Sequence, residues 1–153
     1  MDPDELTSFL HERIPLSKAM SVRTVAIGAE YVELEAPLAA NSNAHGTAFG
    51  GSLSSLALLS AWSLVQLSLL RRGQSATVVI RKSETSFERA VVDRFNARSV
   101  LGPETDWERV RHALMKHGKA SISATAIVRS GSQQAARFKG FFAALSGLDD
   151  AIP

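Results

Sequence analysis

The sequence predicts an α+β fold, an antiparallel sheet of five to six strands wrapped around one long central helix, and three observations carry that prediction. The run from Gly50 to Leu70 has no charged residue, and leucine, alanine, valine and Trp62 fall on nearly every face of it, as in a helix buried all round. Segments on both sides alternate apolar and polar residues with the period of two that marks half-buried strands. Short turn-forming stretches join several of them as hairpins, which makes their strands antiparallel.

In chain order, Asp2-Pro3-Asp4-Glu5 has the form of a helix start, with a capping side chain, proline at the first helical position and acids in the first turn. A short helix from about Pro3 to Arg13 follows, packed through Leu6, Phe9 and Leu10, with Pro15 as its stop. Val22 to Ile27 reads as a strand, and Gly28-Ala29 turns it into a second in which Val32, Leu34 and Ala36 alternate with Tyr31, Glu33 and Glu35. Pro37 to Thr47 is a loop. The long helix ends at Arg71-Arg72-Gly73, two cations at its negative end before a glycine. Thr77 to Val92 reads as one long strand that bends, and Arg94 to Leu101 alternates again before Gly102-Pro103 breaks it. Thr105-Asp106-Trp107-Glu108 reads as a capping box for a second short helix that ends at Gly118. Two further strands, Lys119 to Arg129 and Arg137 to Ala144, alternate apolar and polar residues and are joined by a hairpin over Ser130 to Gln134. The chain reads as a single domain over residues 1–153, with a lead-in over residues 1–19 and a loose tail over 146–153.

Seven polar residues (Ser52, Ser54, Ser55, Ser60, Ser63, Gln66 and Ser68) interrupt the long run, so it falls short of the roughly 18 consecutive apolar residues of a membrane span. No membrane association is expected. A formal charge of +2 with dispersed lysines and arginines gives no footprint for nucleic acid. The chain has no cysteine, which excludes disulfides, thiolate metal sites and a cysteine nucleophile and fits a reducing compartment. The acidic M-D-P-D-E-L start lacks the basic and apolar regions of a secretory signal, so a cytoplasmic location is expected.

The order of elements resembles the hotdog fold. Within it, A-P-L-A-A-N-S-N-A-H-G-T-A-F-G-G-S-L from Ala36 to Leu53, together with Trp62, resembles the YiiD C-terminal-type thioesterase family, and the likeness extends to Ile14-Pro15-Leu16-Ser17 and the segment near Phe87. The resemblance implies a homodimer or dimer of dimers with active sites between subunits at the front of the central helix. It further implies hydrolysis of acyl-CoA or acyl-carrier-protein thioesters, with CoA or phosphopantetheine present only as part of the substrate and no cofactor of the protein's own. Two departures stand out. Hotdog hydrolases use a carboxylate on the central helix or one lent across the interface, yet no Asp or Glu occurs from Ala36 to Leu70. Where the family prefers tyrosine, and proline three residues later, this chain has Phe87 and Ala90.

Thioester hydrolysis needs donors for a developing oxyanion and a group that orients or deprotonates water. The unpaired first-turn amides of the long helix favour negative charge, and Gly50 and Gly51 remove side chains that would keep a ligand away. The amide of Gly51, with Ser52 or its neighbours, is the candidate oxyanion hole; the same glycines also serve simply to let the loop turn and the helix pack. Asn41, Asn43, His45 and Thr47 can hold a water or the thioester carbonyl, and the asparagines and Thr47 serve equally as turn and cap residues. His45 titrates nearest neutrality, as a base or as a solvated loop histidine. Phe49, Gly50 and Phe87 are expected around the substrate. Glu84 and Glu88 are the carboxylates the next strand can supply, or else ordinary strand charges. A Ser52 nucleophile with His45 lacks the last glycine of the G-x-S-x-G elbow. Arg71, Arg72, Arg81, Lys82, Arg137 and Lys139 can meet phosphates. His112 and His117 are five apart, the wrong spacing for a metal pair on one helix face, so no metal is expected. The reading is an acyl thioesterase. Its alternatives are a non-catalytic acyl-CoA or acyl-carrier binding module and a hotdog dehydratase.

Overall fold

In the computed structural model, residues 1–147 are described, and they form four helices and six strands. Helix α1 (Pro3–Arg13) opens with a capping box in which the Glu5 amide donates to Asp2 Oδ1 at 2.9 Å and the Asp2 amide to Glu5 Oε2 at 2.7 Å. Pro15 does more than stop α1. It is the first residue of a second, five-residue helix, α2 (Pro15–Ala19), where its fixed φ suits the first helical position and its missing N–H costs nothing. Strands β1 (Arg23–Ile27) and β2 (Tyr31–Ala36) form the expected hairpin, with the Gly28 amide bonded to the Tyr31 carbonyl.

Helix α3 (Gly50–Leu70) begins at Gly50, not at Ala48 as a Thr47 cap would require; Phe49 is the N-cap and supplies no side-chain bond. Strand β3 (Thr77–Phe87) ends five residues before Val92. The amides of Glu88 and Arg89 both turn to the Ala135 carbonyl, at 2.8 and 3.2 Å, and the Val91 carbonyl accepts from the Ala48 amide at 2.8 Å. Those bonds take residues 88 to 91 out of the ladder and tie them to the loop before α3. Strand β4 (Phe95–Leu101) follows, and then α4 (Trp107–His117). The cap of α4 is Asp106, which accepts from Glu108 and Arg109, and not Thr105 as the capping-box pattern suggests. Gly118 ends α4 in the left-handed region at φ 65°. Strands β5 (Lys119–Ser130) and β6 (Gln133–Leu145) meet at a two-residue turn, Gly131-Ser132, shorter than the predicted loop. Ser146 and Gly147 continue from β6 in a turn; the rest of the predicted tail, 148–153, lies outside the described residues.

The sheet runs β1-β2-β4-β5-β6-β3, antiparallel throughout. Helix α3 lies on its inner face with Leu56, Ala57, Leu64 and Val65 fully buried, and each leucine contributes roughly 1.5–3 kcal/mol by leaving water. The helix is long and apolar enough to span a membrane, but 72% of its apolar window is buried within this fold, so it is the core helix. Three of its polar side chains fix it against the strands. Ser60 Oγ bonds the Val32 carbonyl at 2.9 Å, Trp62 Nε1 donates to the Val78 carbonyl at 2.8 Å, and Gln66 Nε2 donates to the Ala76 carbonyl at 2.9 Å. These bonds set the depth at which the front of α3 meets the loop.

Candidate active site

The loop between β2 and α3 is held from within. Asn41 is buried, and its Nδ2 donates to the Met20 and Pro37 carbonyls at 2.9 and 2.8 Å. Its own carbonyl accepts from the Phe49 amide at 2.7 Å, so one residue joins the end of α2, the start of the loop and the start of α3. Asn43 Oδ1 accepts from the amides of His45 and Thr47, while its Nδ2 donates to Thr47 Oγ1 at 2.8 Å. Gly46, at φ 78°, closes this turn in the left-handed region. Asn43 and Thr47 therefore spend their side chains on the loop itself, while Asn41 uses its amide nitrogen to tie the loop to the end of α2 and keeps a buried Oδ1 without a partner among the described residues. His45 stands exposed at its tip, and its imidazole has no hydrogen-bond partner among the described residues.

The loop delivers Phe49 in extended geometry, φ −63° and ψ 132°, and the first turn of α3 then divides into two classes of amide. Those of Ser52 and Leu53 bond the Phe49 carbonyl at 2.9 and 3.2 Å. Those of Gly50 and Gly51 have no acceptor among the described residues. The free donors are thus the two glycine amides, and the Ser52 amide is already engaged. Phe87 lies beside Gly50, where a β-carbon would come 3.4 Å from its ring, and Phe49 lies over Gly51. Both rings are more than half exposed, at 56% and 57%.

A cleft of about 370 Å³ opens here, walled by Gly50, Leu53, Phe87, Glu88, Arg89 and Val91. Its carboxylate is Glu88, bonded to Arg137 Nε at 2.6 Å and Gln134 Nε2 at 3.0 Å. Glu84 is elsewhere. The pairing Glu84↔Lys139 puts it one residue out of phase with Thr85 and Phe138, hence on the outer face of the sheet, away from α3. There a hydrogen bond from Lys82, followed by the Lys82 charge, holds the Glu84 carboxyl below the usual range. Arg71 donates to the Gly28 and Ala29 carbonyls and Arg72 to the Ser68 carbonyl while stacking on Trp107, so these two cations hold the fold. Arg89 was not distinguished by sequence, because residues 88 to 92 read as strand; it lines the cleft and has no ion-pair partner among the described residues.

Residues 3–146 match the family described as "Putative thioesterase (yiiD_Cterm)". The chain belongs to this thioesterase family. Among solved structures, it superposes on a protein of unknown function from Chlorobaculum tepidum with a TM-score of 0.84 and 25% identity, over 95% of this chain and 97% of that one. A "putative thioesterase" from Shewanella oneidensis matches with a TM-score of 0.79 and 20% identity, over 93% and 96% of the two chains. A thioesterase from Haemophilus influenzae matches with a TM-score of 0.79 and 14% identity, over 98% and 94%. At such identities the last two likenesses speak for the fold, which is the hotdog arrangement of an antiparallel sheet around one long helix. For a member of this thioesterase family, the helix front offers what the reaction needs first: two unspent amides at a positive helix end, that of Gly50 in the cleft beside Phe87 and that of Gly51 beneath Phe49. Among the described residues, no histidine lines that cleft.

Proposed function

We propose that the protein hydrolyses acyl thioesters of CoA or of an acyl carrier protein at the front of α3. The observation that carries this is the unpaired amide of Gly50 on a cleft that also holds the Glu88 carboxylate, with a second unpaired amide next to it in the chain at Gly51. The thioester carbonyl oxygen sits against the two amides. A water held by Glu88 attacks the carbonyl carbon, the oxygen takes up negative charge, and its collapse breaks the C–S bond. The proton leaving the water passes by way of Glu88 to the thiolate, giving a carboxylic acid and a free thiol. Arg137 and Gln134 orient the Glu88 carboxylate. Asn43 and Thr47 shape the loop, and His45 is the second candidate base. Phe49 and Phe87 flank the acyl group, and Arg89 faces the phosphates of the pantetheine arm.

The protein acts without a cofactor of its own, as a cytoplasmic homodimer or dimer of dimers. The edges of the sheet support the assembly. At β1, Thr7 Oγ1 accepts from the Thr24 amide and His11 bonds the Val22 carbonyl, so α1 covers that edge, whereas no other element of the described chain pairs with the outer edge of β3.

The test is thiol release from short-, medium-chain and aryl acyl-CoAs and from an acyl carrier protein, with Glu88→Gln and His45→Ala run beside the wild type. A fall of about 100-fold or more in Glu88→Gln, with His45→Ala near wild type, is the expected result. Tight acyl-CoA binding without turnover on any substrate would leave a binding module instead.

A further inference from the structure

The open side of α3 is a narrow stripe. Gly51, Ser55, Leu58 and Trp62, spaced by four, three and four residues, share one helix face and are each partly exposed. The next positions on that face, Val65, Gln66 and Leu69, are buried, so the stripe stops at Trp62. Beside it runs a groove of about 440 Å³, walled by Leu16 on one side and by Val79 and Ile80 of β3 on the other, with no charged residue in its lining among the described residues. It begins one helical turn from the unpaired Gly51 amide. Its far end is rigid, because Trp62 Nε1 is tied to the Val78 carbonyl and the indole stacks on Phe9 with ring centroids 6.4 Å apart and planes 6° from parallel.

We infer that this groove takes the acyl tail and that Trp62 is the floor that sets its length, which selects unbranched medium-chain acyl groups; the inference rests on the thioesterase reading of the helix front. Gly51 to Trp62 spans about 16 Å of helix axis, and the indole leans about one turn back toward the N-terminus, leaving roughly 11 Å, the reach of about eight to ten carbons. A lining without charge suits an aliphatic chain and offers nothing to a polar or anionic acyl group.

The experiment is kcat/KM for thiol release across saturated acyl-CoAs of two to sixteen carbons, for wild type, Trp62→Ala and Leu58→Trp, with melting temperature and oligomeric state of each. The wild type is expected to peak near eight to ten carbons and to lose about tenfold or more by fourteen. Trp62→Ala should move the peak toward longer chains. Leu58→Trp, at a partly exposed position, should move it toward shorter ones even if removing the indole unfolds the first variant. A measurable wild-type rate with a length profile that neither folded variant shifts would overturn the floor and leave the thioesterase standing. So would a Leu58→Trp protein that changes oligomeric state and not chain preference, which would give the groove to a second copy. If no chain length is hydrolysed, the thioesterase reading falls, and equilibrium binding of the same acyl-CoAs decides: affinities that shift with the variants keep the floor, and flat affinities remove it.

Discussion

Replacing Asn43 with alanine removes three side-chain hydrogen bonds from a turn of five residues, two accepted from the backbone and one donated to Thr47. The expected cost is about 1–2 kcal/mol, partly offset by solvent reaching the exposed side of the loop, and a thermal melt should show a drop of roughly 3–8 °C. Turnover should fall with it, because the turn sets where Phe49 hands the chain to α3; an unchanged melt would mean that the turn closes without this residue. Sequence made the residue types of this loop visible and left their direction open. An asparagine that bonds its own loop and one that holds a substrate are the same letter. The bonds that decide are local for Asn43, but for Asn41 they reach back to Met20, twenty-one residues away. Glu84 and Glu88 present the same ambiguity. Four residues apart on a period of two they would share a face, and only the end of β3 at Phe87 sends Glu88 to the cleft while Glu84 stays on the outer face.

Helix α3 was readable as a buried helix because an uncharged run of this length has few other uses in a small domain, but its cap, Phe49 in place of Thr47, was not. Nor was its fixation, since the partners of its polar residues lie on β2, β4 and the start of β3. Ser60 and Ser99 illustrate the energetics. Both hydroxyls lie within hydrogen-bond reach of the Val32 carbonyl, at 2.9 and 3.2 Å, and of each other at 2.9 Å, and both residues are fully buried. Either hydroxyl can satisfy that carbonyl alone, so Ser60→Ala and Ser99→Ala should each cost about 1 kcal/mol or less. The double variant should cost more than the sum, by about 0.5 kcal/mol or more, in urea unfolding. Strict additivity would show that the two hydroxyls act independently. The over-long reading of β3 has a related origin. Val91 and Val92 continue an apolar pattern, and the bonds to Ala135 and Ala48 that end the strand come from distant parts of the chain.

At the scale of the molecule, one sheet edge is covered, and among the described residues no strand pairs with the other, β3, where α3 supplies donors only as far as Val78. Sedimentation should therefore find at least two copies of the 16.4 kDa chain together. Ile80→Lys, at a position already 38% exposed, should leave the fold intact and shift the protein toward the single chain; an unshifted mass would move the interface away from β3. The order of elements and the glycine pair at the helix front were legible because periodicity and composition encode them, whereas the cleft is built by a segment whose path only tertiary bonds determine. The central claim is that the free glycine amides perform the chemistry, and Gly50→Pro tests it most directly. Phe49 already has the extended geometry that a following proline requires, Gly50 is the first helical residue, and its N–H bonds nothing in the described chain, so the substitution deletes one donor with little cost to the fold. With Gly50→Pro melting at or above the wild-type temperature, the account predicts that kcat for thiol release falls by about 100-fold or more. Wild-type kcat in that well-folded variant would contradict it.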